Sequence, residues 1–146
     1  TGNAHWQKTV DLYANEDLGL DDSELSVVPF IDDMGKAYGW ADFVICRAGA
    51  LTVAELTSVG LGALLIPFPF AIDDHQTANG QMLVDHGAAE MIQQSALTAV
   101  ALAATIVDIA ANPERRLAMA MSARALAKNN AAEEVALVCK ELASGQ

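Results

Sequence analysis

The chain has 146 residues, 53% of them hydrophobic and 5% aromatic, enough for one domain with a largely aliphatic core. Its formal charge of −11 supplies no basic stripe for phosphates, which argues against nucleic acid and against anionic lipid as partners. No apolar run reaches the roughly 18 residues that span a bilayer. In chain order, residues 4–15 (AHWQKTVDLYAN) read as a helix and EDLGLDDSE as an acidic loop. SVVPF (26–30) reads as a short buried strand and residues 31–41 as a helix with Asp32 or Asp33 near its start. DFVICR (42–47) is the next strand, and TVAELTSVG (52–60) the next helix, closed by Gly60 and Gly62. ALLIPF (63–68) is a continuous apolar strand of the type buried on both faces of a parallel sheet. Residues 73–87 form a helix ending at Gly87, and AAEMIQ (88–93) a short strand. From Leu97 onward alanine dominates and the pattern is helical: 97–111, then 113–128 opened by Asn112-Pro113, then 131–143.

Strands alternating with helices across short loops specify an α/β unit with a parallel sheet and an all-helical carboxyl-terminal segment. There is no internal repeat. The amino terminus, TGNAHWQKTV, shows no cleavable signal; it opens on Thr1-Gly2 and enters a helical pattern at once, which suggests a piece of a longer or trimmed chain. Cys46 and Cys139 have no metal-type spacing, and Cys46 in an apolar strand reads as a buried thiol in a reducing compartment.

Ligands of open parallel sheets sit beyond the carboxyl ends of the strands. Three junctions are placed there: PFIDDM, CRAGALTVAE and PFPFAIDDHQ. In the second, Gly49 admits close backbone approach, Ala50 and Leu51 present free amides, and Thr52 opens a helix whose first N–H groups attract an anion. Arg47 could add charge, although an arginine closing a strand is more often structural. Glu55 has two readings. Thr52-x-x-Glu55 is a capping box; alternatively the carboxylate accepts the hydroxyls of a ribose. Asp73-x-x-Gln76 repeats that choice between a helix cap and a polar pair reaching for ligand hydroxyls. His75 is exposed in either case, while His5 and His86 have no partner pattern. No GxGxxG follows a strand, no GxxxxGK[ST] is present, and Ser58 and Ser95 lack a nucleophile elbow. The aspartate pairs at 21–22, 32–33 and 73–74 fall where caps or solvated turns are expected, so neither metal nor cofactor is assigned.

PFIDDMGKAYGWADFVICRAGALTVAEL, GLGALLIPFP and DDHQTANGQ together resemble the donor-binding domain of the MurG family. These are GT-B glycosyltransferases of family 28, built from two Rossmann-like domains. The similarity is near-continuous from Val27 to Ala89 and looser through the final helices. The resemblance implies that the chain, residues 1–146, is the carboxyl-terminal half of such a fold with its first strands missing. It implies a UDP-N-acetylglucosamine donor and transfer to a lipid-linked muramoyl-pentapeptide held by a missing amino-terminal domain. It implies further that this domain also carries most of the membrane association, at the cytoplasmic face of the inner membrane. On the same resemblance Ile31 holds uracil through its backbone. Ala50, Leu51 and Thr52 meet the diphosphate, Val53 and Ala54 continue that run, and Glu55 takes the ribose. His75 and Gln76 reach the sugar, with Asn79 one turn further along; no catalytic residue is assigned.

Two departures from the family are visible. His75 stands where members often carry glutamine, and Gly62 where proline is usual, which reads as a looser loop. The family's GGTGGH and GGSxG loops lie outside this sequence. In the family's sheet order two further strands separate SVVPF from DFVICR, so DFVICR should have an unpaired edge here. Two other readings compete: a UDP-N-acetylglucosamine 2-epimerase-type domain, and a non-catalytic nucleotide-binding module.

Overall fold

The computed structural model describes residues 2–15, 25–70 and 74–144. The chain divides into two compact units, Thr1–Trp40 and Ala41–Gln146. The first holds helices α1 (Asn3–Asn15) and α2 (Met34–Trp40). Asp33 starts α2, its Oδ1 accepting the Lys36 N–H at 2.9 Å, one of the two aspartates the sequence offered for that role. The helix therefore opens three residues later than expected.

SVVPF does not form the expected strand. Residues 25–30 form neither helix nor strand; half-buried and exposed positions alternate and none is buried, and their carbonyls meet α1 and the residue before it. The Trp6 indole N–H donates to the Val27 carbonyl at 3.0 Å, and the Gly2 N–H to that of Pro29 at 2.9 Å. A strand is defined by its ladder, and no strand among the described residues supplies one here.

The second unit carries a three-stranded parallel sheet, β1 (Val44–Cys46), β2 (Ala63–Leu65) and β3 (Ala89–Met91), in that spatial order. Val44 pairs with Ala63, and Ala63 with Ala89, one crossover at a time. Every residue of β2 is buried, as the unbroken run ALLIPF predicts for a central strand. β1 is bordered only by β2, so its other edge is unpaired among the described residues.

Helices α3 (Ala50–Val59) and α4 (His75–Asp85) cross between the strands; α5 (Ala99–Ala111), α6 (Pro113–Ala125) and α7 (Ala131–Ser144) follow β3. Leu56, Leu64, Leu65, Leu83 and Ile109 form the centre of the core, each at most 1% exposed; such side chains each contribute about 1.5–3 kcal/mol of burial. Asn112 opens α6 as expected, accepting the Arg115 N–H at 3.1 Å, while α5 begins two residues later than expected, with Thr98 as its cap accepting the Ala101 N–H at 3.1 Å. Gly60 closes α3 with φ 73°, a left-handed conformation a Cβ would oppose. Arg115 bridges Glu90 of β3 to Asp108 of α5.

Gly62 corrects the expectation of a looser loop. It is buried, and a Cβ added to it would lie 2.9 Å from the Cβ of Met119. The absent side chain lets α6 pack close to the start of β2, so the position is tight.

Candidate functional site

Parallel pairing puts the carboxyl ends of β1, β2 and β3 on one edge of the sheet, where α3 and α4 begin. Two of the three expected junctions meet there. The third, PFIDDM, belongs to the first unit and follows no strand among the described residues. Ile31 lies in that unit, 43% exposed, on a pocket of about 540 Å³ lined also by Tyr13, Val27, Phe30 and Met34.

Helix α3 begins at Ala50, not Thr52, with Gly49 as its N-cap and no side-chain cap. The capping-box reading therefore fails. Thr52 is the third helical residue, and Glu55 stands in the second turn, beyond reach of the N-cap amide by that motif. The first internal bond runs from the Val53 N–H to the Gly49 carbonyl at 2.9 Å. The N–H groups of Ala50, Leu51 and Thr52 have no acceptor among the described residues and point out at the positive end of the helix dipole. Ala50 and Leu51 are exposed, Leu51 by 82%; Thr52 is half-buried. Val53 turns into the core, 7% exposed, while Ala54 and Glu55 face outward.

Arg47 resolves as a clamp. Its Nη1 donates to the carbonyls of Ile66 and Pro67, both at 3.1 Å, and its guanidinium carbon lies 5.7 Å from the Phe68 ring centroid. Phe68 in turn meets Phe70 edge to face, with centroids 5.7 Å apart.

On α4 the N-cap is Asp74 at φ 51°, and Asp73 lies outside the described residues. The Asp74 carboxylate accepts the Thr77 hydroxyl at 2.6 Å and makes no bond to the helix amides. His75 is exposed, as expected. Gln76 and Asn79 do work that sequence spacing does not reveal. Gln76 Oε1 accepts the Phe68 N–H at 3.0 Å, and Asn79 Nδ2 donates to the Ala48 carbonyl at 3.3 Å. Asn79 thus steadies the chain just ahead of α3 and is less available to a sugar. No group of three metal-ligating side chains occurs among the described residues.

Burial raises the Cys46 thiol from 9.0 to about 11. The unfolded thiol ionises near 9.0 and the folded one near 11, so the stability it contributes is present below pH 9 and is lost as pH climbs through that window. Thiolates are the reactive form. At pH 8 an alkylating reagent is expected to modify the exposed Cys139 first, with Cys46 following only as the pH approaches 11. Equal rates at pH 8, read by peptide mass, would contradict that environment.

A family model described as the glycosyltransferase family 28 C-terminal domain matches residues 1–136. The chain is 54% identical over 132 residues to a protein of Marinobacter nauticus and 52% identical over 141 residues to one of Methylococcus capsulatus. Both are named UDP-N-acetylglucosamine--N-acetylmuramyl-(pentapeptide) pyrophosphoryl-undecaprenol N-acetylglucosamine transferase. These matches take in 90% and 97% of this chain but 36% and 38% of the relatives, so the chain spans well under half their length. The crystal structure of Acinetobacter baumannii MurG is similar at TM-score 0.83 and 40% identity, over 96% of this chain and 41% of that one. The sheet and its flanking helices are thus the Rossmann-like carboxyl-terminal half of a GT-B fold.

Proposed function

The chain belongs to the glycosyltransferase family 28 C-terminal domain family, and from that premise we propose that it is the UDP-N-acetylglucosamine-binding part of a hexosyltransferase of peptidoglycan synthesis. The whole enzyme moves N-acetylglucosamine to the 4-hydroxyl of a lipid-linked muramoyl-pentapeptide bound outside this chain. It works as a peripheral protein at the cytoplasmic face of the inner membrane; no helix among the described residues is long and apolar enough to cross one.

One observation carries the reading: the open amides of Ala50, Leu51 and Thr52, on the ligand-binding edge of a parallel sheet, with Glu55 exposed on the same helix. Three N–H donors and the helix dipole hold a diphosphate without a lysine, which suits a chain of charge −11. The same donors stabilise the negative charge that grows on UDP as the sugar departs. Val53 and Ala54 complete the helix turn that aims these amides, and Glu55 accepts the ribose hydroxyls. His75 and Gln76 face the sugar. The reading requires no metal or cofactor.

Thermal melts with UDP-N-acetylglucosamine, UDP, GDP and ADP test it. Uridine ligands at 100 times their dissociation constant are expected to stabilise by about 2.7 kcal/mol, or roughly 5–11 °C for a domain of this size. Glu55→Ala is expected to weaken them about 10- to 100-fold, the loss of hydrogen bonds to a charged group. A shift with ADP or GDP as large as with UDP, or none with any nucleotide, would refute the reading.

A further inference from the structure

The loop after β2 is held from two sides. Arg47 Nη1 grips the carbonyls of Ile66 and Pro67 at 3.1 Å each. Its guanidinium lies 5.7 Å from the Phe68 ring centroid. From the other side, the Phe68 N–H donates to Gln76 Oε1 at 3.0 Å. An N–H demands an oxygen, so the orientation of the Gln76 amide is set by chemistry, and its NH2 is the group left to offer a ligand. The contacts form a relay from the end of β1, through the backbone of residues 66–68, to the first turn of α4.

We infer that Arg47 is a positioning residue: by fixing the Ile66–Phe68 backbone it locks the Gln76 amide so that its NH2 donates to a hydroxyl of the nucleotide's sugar. The inference rests on the proposed nucleotide-sugar reading and gives Arg47 a role other than adding charge at the diphosphate. A planar guanidinium can hold two successive carbonyls and lie against a ring at once, whereas a lysine ammonium on a flexible stem does not reproduce that geometry. With the clamp gone, the Phe68 N–H is no longer fixed, and the Gln76 amide can turn either way. The selective consequence falls on the sugar. The α3 amides that face the diphosphate are held instead by Gly49 and by the Asn79 bond to Ala48.

Titration calorimetry with UDP and with UDP-N-acetylglucosamine tests the relay on the parent chain, Arg47→Met, Arg47→Lys, Gln76→Ala, Gln76→Glu and the Arg47→Met/Gln76→Ala double variant. Arg47→Met is expected to weaken UDP-N-acetylglucosamine about tenfold, the value of one good hydrogen bond, and UDP by less than about twofold. Arg47→Lys should behave the same way, and it covers the case in which Arg47→Met fails to fold. Gln76→Glu keeps an acceptor for Phe68 but removes the donor, so it should lose the sugar preference as Gln76→Ala does. The double variant should bind no more weakly than Gln76→Ala alone, because a relay gives non-additive losses.

Three results overturn the inference. One is UDP weakened as much as the sugar nucleotide and restored by lysine, the mark of direct charge on phosphate. Another is losses that multiply in the double variant. The third is unchanged affinities with only a lower melting temperature, the mark of a fold clamp. A parent chain that binds neither ligand removes the nucleotide reading itself, and the inference with it.

Discussion

Leu51→Asp is expected to cut the affinity for UDP by at least about tenfold while leaving the ligand-free melting temperature unchanged or higher. The two effects have opposite signs for one reason. Leu51 is the second residue of α3 and 82% exposed, so its removal costs little burial. A carboxylate in the first turn stabilises a helix by about 0.3–1 kcal/mol through the dipole and the open amides. The same carboxylate then sits where a diphosphate would. At about 5 Å each repelled charge costs roughly 1–3 kcal/mol, between bulk water and a surface dielectric, and a tenfold loss needs only about 1.4 kcal/mol. A leucine-to-asparagine change, without the charge, should lose far less. Paired calorimetry and titration decide it: full UDP affinity in Leu51→Asp would mean that no phosphate sits at the start of α3.

Leu64→Ala is expected to destabilise the chain by about 3 kcal/mol, within the 2–5 kcal/mol span of buried leucine truncations. Leu64 is wholly buried in the central strand, between neighbours that pair on both sides. A hole there cannot close by moving one element, because β1 and β3 are both registered on β2. For a domain of this size the melting temperature should fall by roughly 6–12 °C. Val59→Ala, at a position 47% exposed, is the comparison and should cost well under 1 kcal/mol. Equal losses at the two sites would mean that β2 is not the centre of the core.

Some of this was readable along the chain because the signals are local. ALLIPF is too apolar for an exposed strand and sits at the centre of the sheet. Asn112-Pro113 opens α6, and Gly60 closes α3, each where the backbone demands that residue type. The loop-to-helix junction at CRAGAL, with its exposed amides, was likewise legible from one glycine and the change of period.

Other features were settled by pairing across distance. Thr52-x-x-Glu55 has the pattern of a capping box, yet α3 starts at Ala50. The strand before it ends at Cys46, and Asn79, 31 residues on, fixes the Ala48 carbonyl. SVVPF has the composition of a strand, but an extended segment becomes one only when another strand accepts its ladder, and its carbonyls meet Gly2 and Trp6 instead. Arg47 and Gln76 looked like separate candidates for a ligand. Their shared hold on residues 66–68 spans 19 residues on one side and 8 on the other, and no local pattern encodes it. The sequence by itself determined most of the helices and the three strands of the sheet, because propensity, capping and burial are properties of neighbouring residues. The tertiary structure alone decided where α3 begins and which polar side chains are tied to backbone, because hydrogen-bond partners are chosen only when distant segments meet.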